Sequence, residues 1–149
     1  MAPTSLDSMR RLVLVPALAL VLVAAGCGDD SNDSATEHLE GPVWQLVQLV
    51  GTDLPDDVVP TLQLLDGVAS GQAGCNSFTG AYELDGRDLA IGPLATTRMA
   101  CAPPLDEVEA AYLGALEQVA SFDVNENELV FRDADDTPVL FYEVPIGAL

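Results

Sequence analysis

A chain of 149 residues has room for one domain, and its 49% apolar composition is enough to build a core. Lysine is absent, and five arginines oppose 24 carboxylates, so the formal net charge is −19. A domain this acidic is repelled by nucleic acid, which excludes that class of partner. The charge keeps the domain soluble. Cation binding is the alternative, although no run has the spacing of a calcium loop.

The first residues have the pattern of a targeting segment. Arg10 and Arg11 precede an almost purely apolar run at residues 12–25, which contains Pro16. Spanning a bilayer takes about 20 apolar residues, so this run is too short for a membrane helix and fits the core of a signal peptide. We therefore predict a signal peptide over residues 1–26, with Met9 as an alternative start to Met1.

The end of this segment, Val23-Ala24-Ala25-Gly26-Cys27, resembles a bacterial lipobox. In such signals the peptidase cuts before the cysteine, whose thiol carries a diacylglycerol. The resemblance implies acylation of Cys27, with chains such as palmitate, and an extracytoplasmic domain anchored to the bacterial cell membrane. Two or more acyl chains are what make such an anchor stable. The alternatives are an ordinary secreted protein and an uncleaved anchor.

A polar stretch follows the lipobox. Residues 27–41 have almost nothing to bury, so we predict a disordered tether there. The only histidine, His38, lies near its end, and we expect it to be solvated rather than a ligand or a base. The folded domain is then predicted at residues 42–149, as a monomer with a formal charge of −20 once residues 1–26 are removed.

Short strands separated by turn signals fill most of the folded part. Asp66-Gly67 and Asp85-Gly86 are strong hairpin signals. Gly71, Gly74 and Gly80 indicate bulges or a close approach of backbones. The predicted strands are residues 43–49, 61–65, 68–72, 78–84, 88–91, 122–124, 129–131 and 139–142.

One helix is predicted at about Leu105–Ala120. Proline suits the first turn of a helix, and Pro103-Pro104 stands at this start. Apolar residues recur at three- and four-residue steps, including Tyr112, which we assign to the core. The pattern predicts an α+β fold in which an antiparallel sheet of about seven or eight short strands packs on this helix.

Cys75 and Cys101 are the thiols left after acylation of Cys27. Disulfides persist in exported domains. Closing the 26-residue separation would stabilise the fold by about 3–4 kcal/mol. We predict a structural disulfide, with two reduced buried cysteines as the alternative. The spacing is not that of a C-x-x-C redox pair.

Three segments of the folded part resemble the META-domain, or HslJ-like, family. Two of them carry the specific pattern, in which G-C-N-x-[FY]-[ST]-G is paired with T-x-M-x-C. The resemblance runs from about residue 44 to residue 144. The segments are Trp44-Gln45-Leu46, the run from Ser70 to Tyr82, and Thr97-Arg98-Met99-Ala100-Cys101.

The resemblance implies a fold and a setting rather than a reaction. It implies a partly open antiparallel barrel with a helix against it, an exported lipoprotein, and a contribution to tolerance of heat or antibiotics. No biochemical activity is established for the family. The extreme acidity of this chain sets it apart from many relatives.

The sequence contains no catalytic constellation, cofactor motif or metal-ligand set that we can identify, so we expect no enzyme, no cofactor and no metal. The first hypothesis is an envelope interaction module that binds a protein, cell-wall material or an apolar ligand. The alternative is a structural or protease-inhibitor-like module. Arg98 is the residue of most interest at the rim, and a salt bridge to an acid is its alternative role. The candidate rim residues are Asn76, Phe78, Thr97, Arg98 and Met99.

Overall fold

The computed structural model describes residues 36–145. The predicted signal peptide and Cys27 lie outside the described residues. Within this range no helix is both long and apolar enough to cross a membrane. The elements are β1 (Val43–Leu49), β2 (Thr61–Leu65), β3 (Val68–Gln72), β4 (Ser77–Asp85), β5 (Asp88–Ile91), β6 (Ala95–Thr96), α1 (Leu105–Leu116), β7 (Ser121–Val124), β8 (Glu128–Arg132) and β9 (Pro138–Glu143).

Eight of these strands form a closed antiparallel barrel. Going around it, the order is β1, β2, β3, β4, β5, β7, β8 and β9, and β9 returns to pair with β1. The two-residue β6 lies outside this ring and pairs with β4. The predicted α+β barrel is confirmed in outline, but the expectation of a partly open barrel is wrong. At β5 and β7 the strands share one register pair, Asp88 with Ser121, and the backbone hydrogen bonds from Leu89 N–H to the Ala120 carbonyl and from Phe122 N–H to the Arg87 carbonyl add to the closure.

Both hairpin signals form the turns that were predicted. Asp66 and Gly67 have φ of 51° and 78° between β2 and β3. Two central residues with positive φ are what a type I′ turn requires, and its twist matches the flanking strands. Gly86, with φ of 63°, stands between β4 and β5. These turns set the register of the strands on either side.

The helix starts at the predicted residue but ends early, at Leu116 instead of Ala120. The residues after it belong to the barrel seam. The Ala120 N–H donates to the Arg132 carbonyl at 2.8 Å, and its own carbonyl accepts from the Leu89 N–H at 3.0 Å. These bonds take up the backbone groups of Ala120, so the helix cannot extend through it.

The helix contributes side chains to the barrel core, including a buried tyrosine. Tyr142 donates to the hydroxyl of Tyr112, which in turn donates to the Thr61 carbonyl. Burial raises the pKa of Tyr112 and Tyr142 well above 10. Burial, followed by a hydrogen bond to Glu40, raises the pKa of Tyr82 to about 12. All three hydroxyls therefore stay neutral and act as structural donors.

The folded domain begins earlier than residue 42, so the predicted tether of residues 27–41 is too long at its end. Residues 36–39 form a helical turn, and Leu39 is fully buried. Trp44 donates its indole N–H to the Leu39 carbonyl at 3.0 Å, and Tyr82 donates its hydroxyl to the Glu40 carboxylate. His38 is exposed. One apolar residue in a polar stretch was enough to attach this segment to the core.

Candidate functional site

The two cysteine-containing segments of the sequence pattern meet at one corner of the barrel. One is the loop at residues 73–76 between β3 and β4, and the other is the segment at residues 97–101 that leads into α1. The Cys75–Cys101 disulfide joins them, with a Cα–Cα distance of 6.2 Å. The structure therefore contains the disulfide that the sequence predicted. We call this region the cysteine corner.

Asn76 is the centre of the hydrogen bonding at the cysteine corner. Its side chain is buried, with 3% of its surface exposed. The amide nitrogen Nδ2 donates to Glu109 Oε1 at 3.0 Å and to the Met99 carbonyl at 3.2 Å. The amide oxygen Oδ1 accepts from the Met99 N–H and from the Thr97 hydroxyl, both at 2.8 Å. One buried amide thus connects the loop, the segment before the helix and the helix itself.

Glu109 approaches the same corner from the second turn of α1. Its Oε2 accepts from the backbone N–H of Asn76 at 2.8 Å, so Asn76 holds both carboxylate oxygens. Oε2 also lies 4.0 Å from Cys101 Sγ. A charged acceptor makes these hydrogen bonds stronger than neutral ones. The sequence reading missed this role, because nothing in the sequence pairs residue 76 with residue 109.

Arg98 and Met99 form an exposed tip on this rigid base, and we call them the Arg98–Met99 tip. Met99 has 60% of its surface exposed, and Arg98 is also exposed. The backbone on both sides of Arg98 is fixed. The Thr97 N–H donates to the Ser77 carbonyl at 3.0 Å, and the N–H and carbonyl of Met99 both bond to Asn76.

Arg98 is also the cation without an acidic partner in the described chain. Arg87 and Arg132 both form ion pairs with Asp123, whereas Arg98 makes no ion pair within residues 36–145. The alternative role of Arg98 as a salt-bridge partner is therefore wrong for this part of the chain. Its guanidinium is free to bind a group from outside the domain.

The predicted rim residues separate into two sets. Thr97, Arg98 and Met99 are exposed, as a rim requires. Asn76 and Phe78 are not rim residues, because each has only 3% of its surface exposed. Phe78 packs edge-to-face against Tyr112 in the core, with ring centroids 5.9 Å apart. The strand alternation of β4 turns Phe78 inward, and Asn76 turns inward to reach Glu109.

The described grooves of the surface lie elsewhere. One groove of 540 Å³ is lined by β4, by β5 and by the residues after α1, and includes Asp85, Asp88 and Val119. Another, of 350 Å³, is lined by Val43, Gln63 and neighbouring strand residues. Neither includes the Arg98–Met99 tip. The tip is therefore an exposed surface that belongs to neither of these two grooves.

Comparison with known proteins gives a match over this same part of the chain. The META domain family matches residues 37–145, which is most of the chain and all of the barrel. The chain belongs to the META domain family. The match begins ahead of Leu39, in agreement with its burial in the core.

Individual relatives agree with this assignment. The chain is 29% identical over 123 residues to the heat shock protein HslJ of Escherichia coli K12, covering 80% of this chain and 88% of that protein. A protein from Burkholderia xenovorans solved by NMR is 31% identical, with a TM-score of 0.61 over 76% of this chain and 88% of that one. A DUF4847 family protein from Bacteroides vulgatus ATCC 8482, 16% identical with a TM-score of 0.55 over 72% and 94%, shares the fold.

Proposed function

We propose that this META domain protein is an exported bacterial lipoprotein that binds an envelope partner through the Arg98–Met99 tip. Through that interaction it would contribute to tolerance of heat or antibiotics, without catalysing a reaction. The observation that carries the proposal is the tip itself. Its side chains are exposed while its backbone is fixed by Asn76 and by the nearby disulfide.

A fixed backbone matters because binding costs free energy when it orders a flexible loop. A loop already held in one conformation avoids most of that cost. Arginine and methionine are both enriched at the centres of protein interfaces. Arg98 offers planar, bidentate hydrogen bonding to an anionic group, and Met99 offers a flexible apolar surface beside it. The partner that fits best is therefore a protein with an acidic group next to an apolar pocket.

The link to stress rests on the family and on one relative. The E. coli relative is named a heat shock protein, and this chain covers 88% of it. Most of that relative is thus represented in this chain. We extend its heat-shock association to this chain as part of the proposal.

The export proposal rests on the sequence before the barrel. Cys27 precedes Thr36, the first described residue, by nine positions. Nine extended residues span at most about 30 Å. A lipid on Cys27 would therefore hold the barrel close to the membrane, where an envelope partner is within reach.

Replacing both tip residues by alanine tests the binding surface. For Arg98→Ala/Met99→Ala we expect loss of stress survival in a strain that depends on this protein, and loss of photo-crosslinking to its partner. The melting temperature should be unchanged, because exposed substitutions alter stability by only about 0.5 kcal/mol. The measurements are survival after heat or antibiotic exposure, photo-crosslinking in the cell, and thermal melting of the purified chain.

Val59→Ala is the matched control, since Val59 is exposed to 48% and lies outside the cysteine corner. It should leave survival and melting unchanged. If the tip variant lost survival only together with its melting temperature, the tip would be structural and the binding proposal would be wrong. Full survival of the tip variant would also contradict it.

Intact mass spectrometry of the membrane fraction tests the anchor. We expect a mature chain that begins at Cys27 and carries added acyl mass. Cys27→Ser should leave a chain without acyl mass that no longer fractionates with membranes. An unacylated wild-type chain in the soluble fraction would rule out the lipoprotein proposal and leave the tip proposal standing.

A further inference from the structure

The cysteine corner brings together three groups that are known metal ligands. Cys75 Sγ, Cys101 Sγ and a carboxylate oxygen of Glu109 lie within 4.8 Å of one another, and all three residues are partly buried. In the structure the two sulfurs are bonded to each other, so neither is a thiolate. We propose that reduction of the disulfide converts this corner into a binding site for a thiophilic divalent cation, with Zn²⁺ as the best match.

The chemistry requires a reductant from outside the protein. A dithiol supplies two electrons and two protons, the S–S bond breaks, and Cys75 and Cys101 become thiols while the dithiol becomes a disulfide. Zn²⁺ then displaces one proton from each thiol and binds the two thiolates. Glu109 adds a carboxylate oxygen as the third protein ligand. Zn²⁺ accepts both sulfur and carboxylate oxygen, whereas Mg²⁺ and Ca²⁺ prefer oxygen alone.

The distances fit the coordination of zinc. Zn–S bonds of about 2.3 Å in a tetrahedral site place two thiolates roughly 3.8 Å apart. Cα atoms 6.2 Å apart allow this separation by side-chain rotation, without moving the backbone. Glu109 Oε2 is 4.0 Å from Cys101 Sγ, close to the separation that two ligands of one zinc ion need. Partial burial leaves the fourth position open to water.

The surroundings already orient two of the ligands. Asn76 donates to both oxygens of Glu109 and, through Nδ2, to Cys101 Sγ at 3.3 Å. Hydrogen bonds of this kind fix ligand direction in known metal sites. The domain is strongly acidic, which raises the local concentration of divalent cations. A carboxylate that the oxidised protein uses only for hydrogen bonding thus becomes the anchor of a metal site.

Zinc titration of the full chain tests the proposal. A chromophoric chelator competes for Zn²⁺ against the protein, once oxidised and once reduced with a phosphine. We expect one Zn²⁺ per reduced chain, bound more than about 100-fold tighter than by the oxidised chain. Co²⁺ in place of Zn²⁺ should give a thiolate-to-metal charge-transfer band only after reduction. The oxidised chain controls for weak binding by the many surface acids.

Glu109→Gln and Glu107→Gln form a matched pair on the same helix. Glu107 is exposed, so its variant should bind as the wild type does, while Glu109→Gln should bind about 10–100-fold more weakly. Emission of the buried Trp44 reports folding throughout. If reduction unfolds the chain, Zn²⁺ should restore the native emission. Equal zinc affinity of the oxidised and reduced chains, or of the two variants, would overturn the proposal.

Discussion

Gly71→Ala is expected to destabilise the domain by at least about 3 kcal/mol, the upper end of the usual cost of overpacking. A Cβ atom at this position would overlap the backbone carbonyl of Thr61 and lie 3.0 Å from Phe78 Cε1. The obstacle is backbone in the neighbouring strand, so no change of rotamer can relieve it. Moving the Thr61 carbonyl would also weaken the hydrogen bond that it accepts from Tyr112.

Gly114→Ala is the matched control, because a Cβ there meets nothing within 4 Å and the residue lies within α1. Alanine is favoured over glycine in helices, so this variant should be more stable than the wild type by about 0.5–1 kcal/mol. Urea unfolding followed by the emission of Trp44 measures both changes. Equal stability of the two variants would show that β3 and β2 do not approach as closely as described.

Local signals explain how much of the barrel was predictable. Alternation and the two Asp-Gly turns placed eight strands, because both depend on residues adjacent in the chain. Closure of the barrel was not predictable in this way. It depends on β1 pairing with β9 and on β5 pairing with β7, which join distant segments. The missed strand β6 is two exposed residues long and has no periodicity to detect.

In the candidate site, too, features set by neighbouring residues were predictable from the sequence and features set by distant residues were not. Phe78 was assigned to the rim although Phe78, Gly80 and Tyr82 alternate along β4, so its inward direction could have been read from the sequence. Asn76 could not have been placed. The Asn76 side chain points inward because it donates a hydrogen bond to the carboxylate of Glu109, which lies 33 residues later in the chain. The exposure of Arg98 and Met99 was predicted correctly, but their rigidity depends on Asn76.

The burial of Leu39 was not predicted from the sequence, for a different reason. Composition averaged over residues 27–41 predicts disorder, and one leucine hardly changes the average. In the structure Leu39 is fully buried. Two hydrogen bonds hold its segment in place: Trp44 donates to the Leu39 carbonyl, and the Gly41 N–H donates to the Leu64 carbonyl at 3.0 Å. A single anchoring residue is enough to extend a domain into a polar segment when the core has a place for it.

Asn76→Ala is expected to cost about 3–4 kcal/mol of unfolding free energy. The substitution removes the Nδ2 donor from the partly buried Glu109 carboxylate and the Oδ1 acceptor from the Met99 N–H. Leaving a buried polar group without its partner costs about 1–3 kcal/mol, and more for a charged group. The variant should also remove the hydrogen bonds that hold the backbone of Met99. Both the unfolding free energy and the crosslinking of the tip to a partner should therefore decrease.

Asn127→Ala provides the matched control, because Asn127 is exposed and its side chain makes no hydrogen bond within the described residues. Its unfolding free energy should stay within about 0.5 kcal/mol of the wild type. Urea unfolding at neutral pH measures both variants. A mild effect of Asn76→Ala would mean that water replaces the amide at Glu109 and Met99. The tip would then owe its rigidity to the disulfide, and reduction alone should abolish partner crosslinking in that variant.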